Sequence, residues 1–128
     1  MMWAAGSEAK VLYVQTHGIA DPGRSATPFF LAASAAAMEF EVMIYFTMYG
    51  PTLLRKDVVD HIGPKGEQGQ PLRYFIDQAT GLGVRLLVCQ PSLELNDLHL
   101  EDLIDGIEMI GGAAFNDLAV SADAVISF

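Results

Sequence analysis

Gly83-Val84-Arg85-Leu86-Leu87-Val88-Cys89-Gln90-Pro91-Ser92 is a short apolar run entered through a glycine and closed by a proline. Such a run suits a strand buried on both faces of a parallel sheet. Proline cannot continue a central ladder, so the strand is expected to end near Gln90. The one cysteine of the chain, Cys89, then stands at the carboxyl end of a central strand. That is the edge at which open α/β sheets bind ligands.

The same pattern repeats on either side. Apolar runs over residues 10–15, 41–47, 107–110 and 124–127 read as further strands. Residues 1–9 read as a lead-in. The first strand ends in a polar turn, Thr16-His17-Gly18, and the second in Met48-Tyr49-Gly50 before Pro51. Helical segments lie between the runs. Thr27-Pro28 is expected to cap an alanine-rich helix running to about Met38. Pro71 is expected to start another, closed by Gly81 as a left-handed cap. Asn96 or Asp97 is expected to cap a short helix holding Leu100, Leu103 and Ile104, and Gly111-Gly112 to open a last one. Residues 60–70, with Gly63, Pro64, Gly66 and Gly69, read as a mobile loop.

Strands alternating with helices predict one three-layer α/β domain over residues 1–128. Its core is a five-stranded parallel sheet with helices on both faces. The flavodoxin-like order 2-1-3-4-5 is the expected arrangement. In that order the first and third strands are neighbours. Thr16, His17 and Gly18 would face Cys89, Gln90, Pro91 and Ser92 across one crevice, with Met48, Tyr49 and Gly50 as its outer wall.

Charge narrows the function. Seven basic residues against sixteen acidic ones give a net charge of −9. Phosphate contacts need a basic surface, so nucleic-acid binding is not expected. High apolar content with little charge, in a chain this small, predicts burial in a homo-oligomer. No apolar run is long enough for a membrane span. No signal peptide is read at the start, and a single cysteine forms no internal disulfide. The cytoplasm is the expected compartment.

Cys89 is the leading candidate for chemistry. A free cysteine is commonly a small core residue. One at a strand's carboxyl end, however, meets the amides of the following segment, which stabilise a thiolate. Ser92 can donate a hydrogen bond to that sulfur or simply cap a helix. His17 can act as acid and base beside a thiol, or serve as a turn residue. The spacing of His17, His61, His99 and Cys89 matches no zinc motif, so no metal is expected. Gly81-Leu82-Gly83 precedes a strand, whereas a dinucleotide loop follows one. Cys89-x-x-Ser92 lacks the second thiol of a dithiol oxidoreductase. A single thiol can still carry a persulfide sulfur.

With these residues in place, the chain resembles the DsrE/DsrF family of small sulfur-relay proteins. The resemblance rests on the strand ending in a polar turn, the alanine-rich helix, the strand closed by Met48-Tyr49-Gly50, and residues 83–92. It implies a flavodoxin-like domain, commonly trimeric or hexameric, carrying sulfur on the cysteine that Cys89 matches. It also implies donor and acceptor proteins or small thiols as partners, and no cofactor. Some family members are non-catalytic assembly subunits, which is the alternative reading. A small-ligand or nucleotide binder of flavodoxin type is the third.

Overall fold

The computed structural model describes residues 9–128, so the reading of residues 1–8 as a lead-in lies outside it. Five strands, β1 (Lys10–Gln15), β2 (Glu41–Phe46), β3 (Arg85–Cys89), β4 (Ile107–Ile110) and β5 (Ala124–Ser127), form one sheet. All neighbouring pairs are parallel. The expected class, a parallel α/β domain, is therefore what the chain forms.

The strand order is β4-β3-β2-β1-β5, where 2-1-3-4-5 was expected. β2 lies between β1 and β3, and the reversal of winding falls between β1 and β5. Burial gives the reason. β2 is buried from Val42 to Phe46 and β1 from Val11 to Gln15. An expected order with β2 at the edge would expose one of the most apolar runs of the chain. The edges are instead the four-residue strands β4 and β5, and every residue of β5 is exposed.

Two layers of helices cover the sheet. On one face, α1 (Thr27–Ala37) and α2 (Leu72–Gly81) bring Phe29, Ala32, Leu72 and Ile76 onto Val11, Ile44, Leu86 and Val88. Ala32 and Ala35 have so little bulk that α1 settles close to the strands. On the other face, Leu12, Val14, Met43, Tyr45 and Leu87 meet Phe115, Leu118 and Ala119 of α4 (Gly112–Ser121). α3 (Gln90–Leu95) follows β3 without a loop and buries Leu93 beneath the first layer. Among the described residues no helix is long and apolar enough to cross a membrane.

Three expected caps fall elsewhere. Thr27 is the first residue of α1, not its cap. The preceding turn, Pro22–Arg24, delivers Ala26 already in a helical conformation, so no extended residue is left for a side chain to cap from. Asn96 and Asp97 do not begin the turn Leu100–Asp102. His99 precedes it, and its N–H donates to the Asp102 carboxylate at 2.8 Å. The left-handed glycine after α2 is Gly83 (φ 90°), two residues beyond Gly81. Gly83 N–H donates to Thr80 C=O and Val84 N–H to Ala79 C=O, a Schellman closure that leads directly into β3. The 60–70 segment is organised by paired backbone bonds between Gly63 and Gly66, and its flank by an ion pair between Arg73 and Asp60.

The two glycines therefore respond oppositely to a methyl group. Gly81→Ala meets nothing within 4 Å and should raise unfolding stability by about 0.5–1 kcal/mol. Gly83→Ala should lower it by about 1–2 kcal/mol, because its left-handed backbone disfavours a Cβ. Urea denaturation of the two variants measures both signs.

Candidate functional site

Strand register assembles the site. Phe46 lies opposite Val88, so one step further on Thr47 stands level with Cys89. Side chains alternate along a strand, which puts Tyr45, Thr47 and Cys89 on the same face. The Tyr45 ring packs on Phe115 of α4, with ring centroids 4.3 Å apart. Its hydroxyl approaches the Cys89 sulfur, which is partly exposed.

α3 adds the second half. Cys89 is its N-cap residue, without a closed cap bond. Pro91 has no N–H to offer, so the Ser92 amide is the one that acts on the sulfur. Ser92 is buried inside the helix, and its Oγ accepts a 2.8 Å bond from Met48 N–H and lies 3.2 Å from Thr47 Oγ1. Asn96 Nδ2 donates to Met48 C=O at 2.7 Å and to Ser92 C=O at 2.6 Å. Met48 itself has φ 55°, a left-handed conformation costly for a side-chain residue. Ser92 and Asn96 hold both polar groups of this strained residue.

The electrostatics follow from the donors. Burial pushes the Cys89 thiol up. The Ser92 hydroxyl, the Tyr45 hydroxyl, the Ser92 amide and the Thr47 hydroxyl outweigh it and hold the thiol below its ordinary value. None of these donors is charged. Arg85 is the last lysine or arginine of the chain, and it is engaged by Glu108 through two hydrogen bonds of 3.0 and 2.9 Å. Tyr45 shifts the opposite way: burial, then its bond to Cys89, keep the phenol protonated.

The candidates read from sequence divide into two groups. Cys89, Ser92 and the Met48 backbone come together. Gln90 and Pro91 form the exposed first residues of α3 beside them. Thr16, His17 and Gly18 do not face Cys89, which corrects the expected crevice. β2 intervenes, and two strand spacings amount to about 10 Å. His17 belongs to the β1 turn, where its carbonyl accepts from Gln15 Nε2 at 2.9 Å and its ring lies 3.4 Å from Thr16 Oγ1. Met48, Tyr49 and Gly50 are not an outer wall either. They form the central turn, bonded to Thr16 C=O through Tyr49 N–H on one side and to Ser92 on the other. Gly50 fits because a Cβ there would strike Gln15 C=O.

Sequence reading passed over Tyr45, Thr47 and Asn96. Tyr45 and Thr47 lay inside an apolar run read as core, and only the β2–β3 register shows that they reach the sulfur. The i, i+4 spacing of Ser92 and Asn96 was a legible signal once a helix was placed there. Among the described residues no three His, Cys, Asp or Glu side chains gather to hold a metal.

Comparison with known proteins gives concordant results. Residues 9–128 match the DsrE/DsrF-like family. The sulfur carrier protein DsrE2 of Allochromatium vinosum is 28% identical over 134 aligned residues, covering 75% of this chain and 84% of that protein. The crystal structure of the ychN protein from E. coli superposes with a TM-score of 0.77 at 18% identity, covering 94% and 99% of the two chains. A protein of unknown function from Methanobacterium thermoautotrophicum gives 0.63 at 15% identity, with 95% and 100% covered. These two likenesses speak to the fold.

The donor set around Cys89 predicts two measurements. Its alkylation rate should rise with a midpoint below the free-thiol value of about 8.5. Ser92→Ala should move that midpoint up and cost about 1–3 kcal/mol of stability, because Met48 N–H loses its acceptor. The linkage sign is fixed by the direction of the shift. The folded thiol ionises before the unfolded one, so wild type gains stability over Cys89→Ser as pH rises from the folded value to the unfolded one. That advantage disappears as pH falls through the folded value. Thermal unfolding of both proteins across pH measures it.

Proposed function

The chain belongs to the DsrE/DsrF-like family, and from that membership we propose that it is a sulfur carrier working through Cys89. The observation that carries the reading is the single partly exposed thiol at the end of β3, surrounded by hydroxyl and amide donors that favour its thiolate. The name of the Allochromatium vinosum relative supports the same reading.

The chemistry is sulfur exchange. The Cys89 thiolate attacks the outer sulfur of a donor persulfide. A sulfur–sulfur bond forms to Sγ, the bond within the donor breaks, and the donor leaves as its thiolate. The oxidation level is conserved, so the exchange needs no cofactor. Ser92, Thr47 and the Ser92 amide hold the attacking thiolate, while Ser92 and Asn96 keep the Met48 turn in place beside it. A reducing compartment such as the cytoplasm suits a thiol that must stay free.

Assembly into a homo-oligomer, a trimer or hexamer, belongs to the same proposal. It is supported by exposed apolar side chains such as Phe30, Met48, Tyr49, Leu95 and Val120, the last 87% exposed in the single chain. Donor and acceptor proteins or small thiols complete the relay.

Incubation with inorganic polysulfide followed by mass spectrometry tests the carrier. Wild type should gain one sulfur atom on Cys89, and Cys89→Ser should gain none. His17→Ala should load within about 2-fold of the wild-type rate, since β2 separates the histidine from the thiol. A wild-type protein that takes up no sulfur would remove the carrier reading.

A further inference from the structure

A persulfide on Cys89 can be attacked at either of its two sulfurs, and the outcomes differ. Attack of an acceptor thiolate on the outer sulfur forms an acceptor persulfide. The Sγ–S bond breaks, its electron pair goes to Sγ, and the proton stays with the transferred sulfur. Attack on Sγ instead forms a mixed disulfide and releases hydrosulfide, which ends the relay. Which sulfur leaves more easily decides between them, and a better-stabilised thiolate leaves faster.

Sγ is the atom that Tyr45 meets. The two residues lie on one face of adjacent strands, Tyr45 one same-face step below the level of Cys89. The phenol ring is fixed from behind by Phe115 and sits among Leu12, Met43 and Leu87, with the residue only 6% exposed. The phenol is thus a buried neighbour of Cys89, and its hydroxyl acts on Sγ. The Ser92 and Thr47 oxygens lie 3.2 Å apart and one donates to the other, so one proton of that pair is committed there and the Tyr45 hydroxyl adds a separate donor to the sulfur.

We infer that Tyr45 is a catalytic residue of the sulfur hand-over, holding Sγ as the leaving thiolate so that the outer sulfur is the one passed on. The inference rests on the carrier reading. Tyr45 stays a donor throughout the range in which the thiolate exists, since burial and its bond to Cys89 both raise the phenol. Its buried, stacked ring also means that loss of the hydroxyl alone leaves the packing in place.

Tyr45→Phe in the full chain tests this, with Phe115→Leu as the variant that keeps the hydroxyl and disturbs its support. Both are loaded with inorganic polysulfide and then mixed with 2-mercaptoethanol, and the acceptor persulfide and released hydrosulfide are measured separately. Tyr45→Phe is expected to raise the alkylation midpoint of Cys89 and slow transfer by about 3-fold to 10-fold, from loss of one hydrogen bond to a charged sulfur. It is also expected to raise the hydrosulfide share. Phe115→Leu should give a smaller change in the same direction. A Tyr45→Phe protein with wild-type midpoint, transfer rate and product ratio overturns the inference. Absence of loading in wild type defeats the carrier reading instead, and the alkylation midpoint of Tyr45→Phe then still decides whether the hydroxyl serves the thiolate.

Discussion

The parallel pairing of β2 with β3, Phe46 opposite Val88, is the constraint on which the site depends. It sets Thr47 level with Cys89 and Tyr45 one same-face step below. A slip of one residue would turn Tyr45 and Thr47 to the opposite face and leave the sulfur among apolar side chains. Register is held from both sides. Val42, Ile44 and Phe46 belong to one core and Met43 and Tyr45 to the other, so a shifted β2 would put every one of these side chains into the wrong layer. The burial that holds the sheet together thus also fixes the donors on the thiol.

β2 in the interior has a second consequence. Its carboxyl end must connect to both neighbours at once. The turn at Met48 does so, bonded to the β1 side through Tyr49 N–H and to α3 through Ser92 and Asn96. The left-handed Met48 is the conformational cost of fitting a tight turn between two strand ends. It is offset by two side-chain bonds from α3, the helix that also positions the Cys89 sulfur. Strain, helix placement and thiol environment are therefore one linked arrangement, which is why Ser92 bears on both stability and acidity.

The thiol's environment uses neutral donors where an arginine or lysine would be a stronger stabiliser. Eight carboxylates and neither lysine nor arginine follow Arg85 in the chain, so this segment offers no permanent cation. Hydroxyls and an amide lower a thiol less than a full charge does, and they do so from fixed positions on the sheet and helix. A thiolate held in this way stays a better leaving group than an ordinary thiol while remaining reactive. That balance suits the proposed carrier role, in which sulfur is both accepted and released.

Sequence alone determined the strands, the fold class, and the place of Cys89 with Ser92 three residues on, because each of these is written in local order. Apolar runs bounded by Gly83 and Pro91 mark a buried strand whatever surrounds it, and a three-residue separation brings Cys89 and Ser92 together across one helical turn. Strand order is not local. It depends on which runs most need burial on both faces, and that competition put β2 between β1 and β3. His17 was thereby separated from the thiol, and the Met48 turn moved from the rim to the centre. Tyr45 and Thr47 were hidden for the same reason: in a continuous apolar strand they look like core residues, and only the partner strand reveals that their hydroxyls end at a sulfur forty-odd residues away.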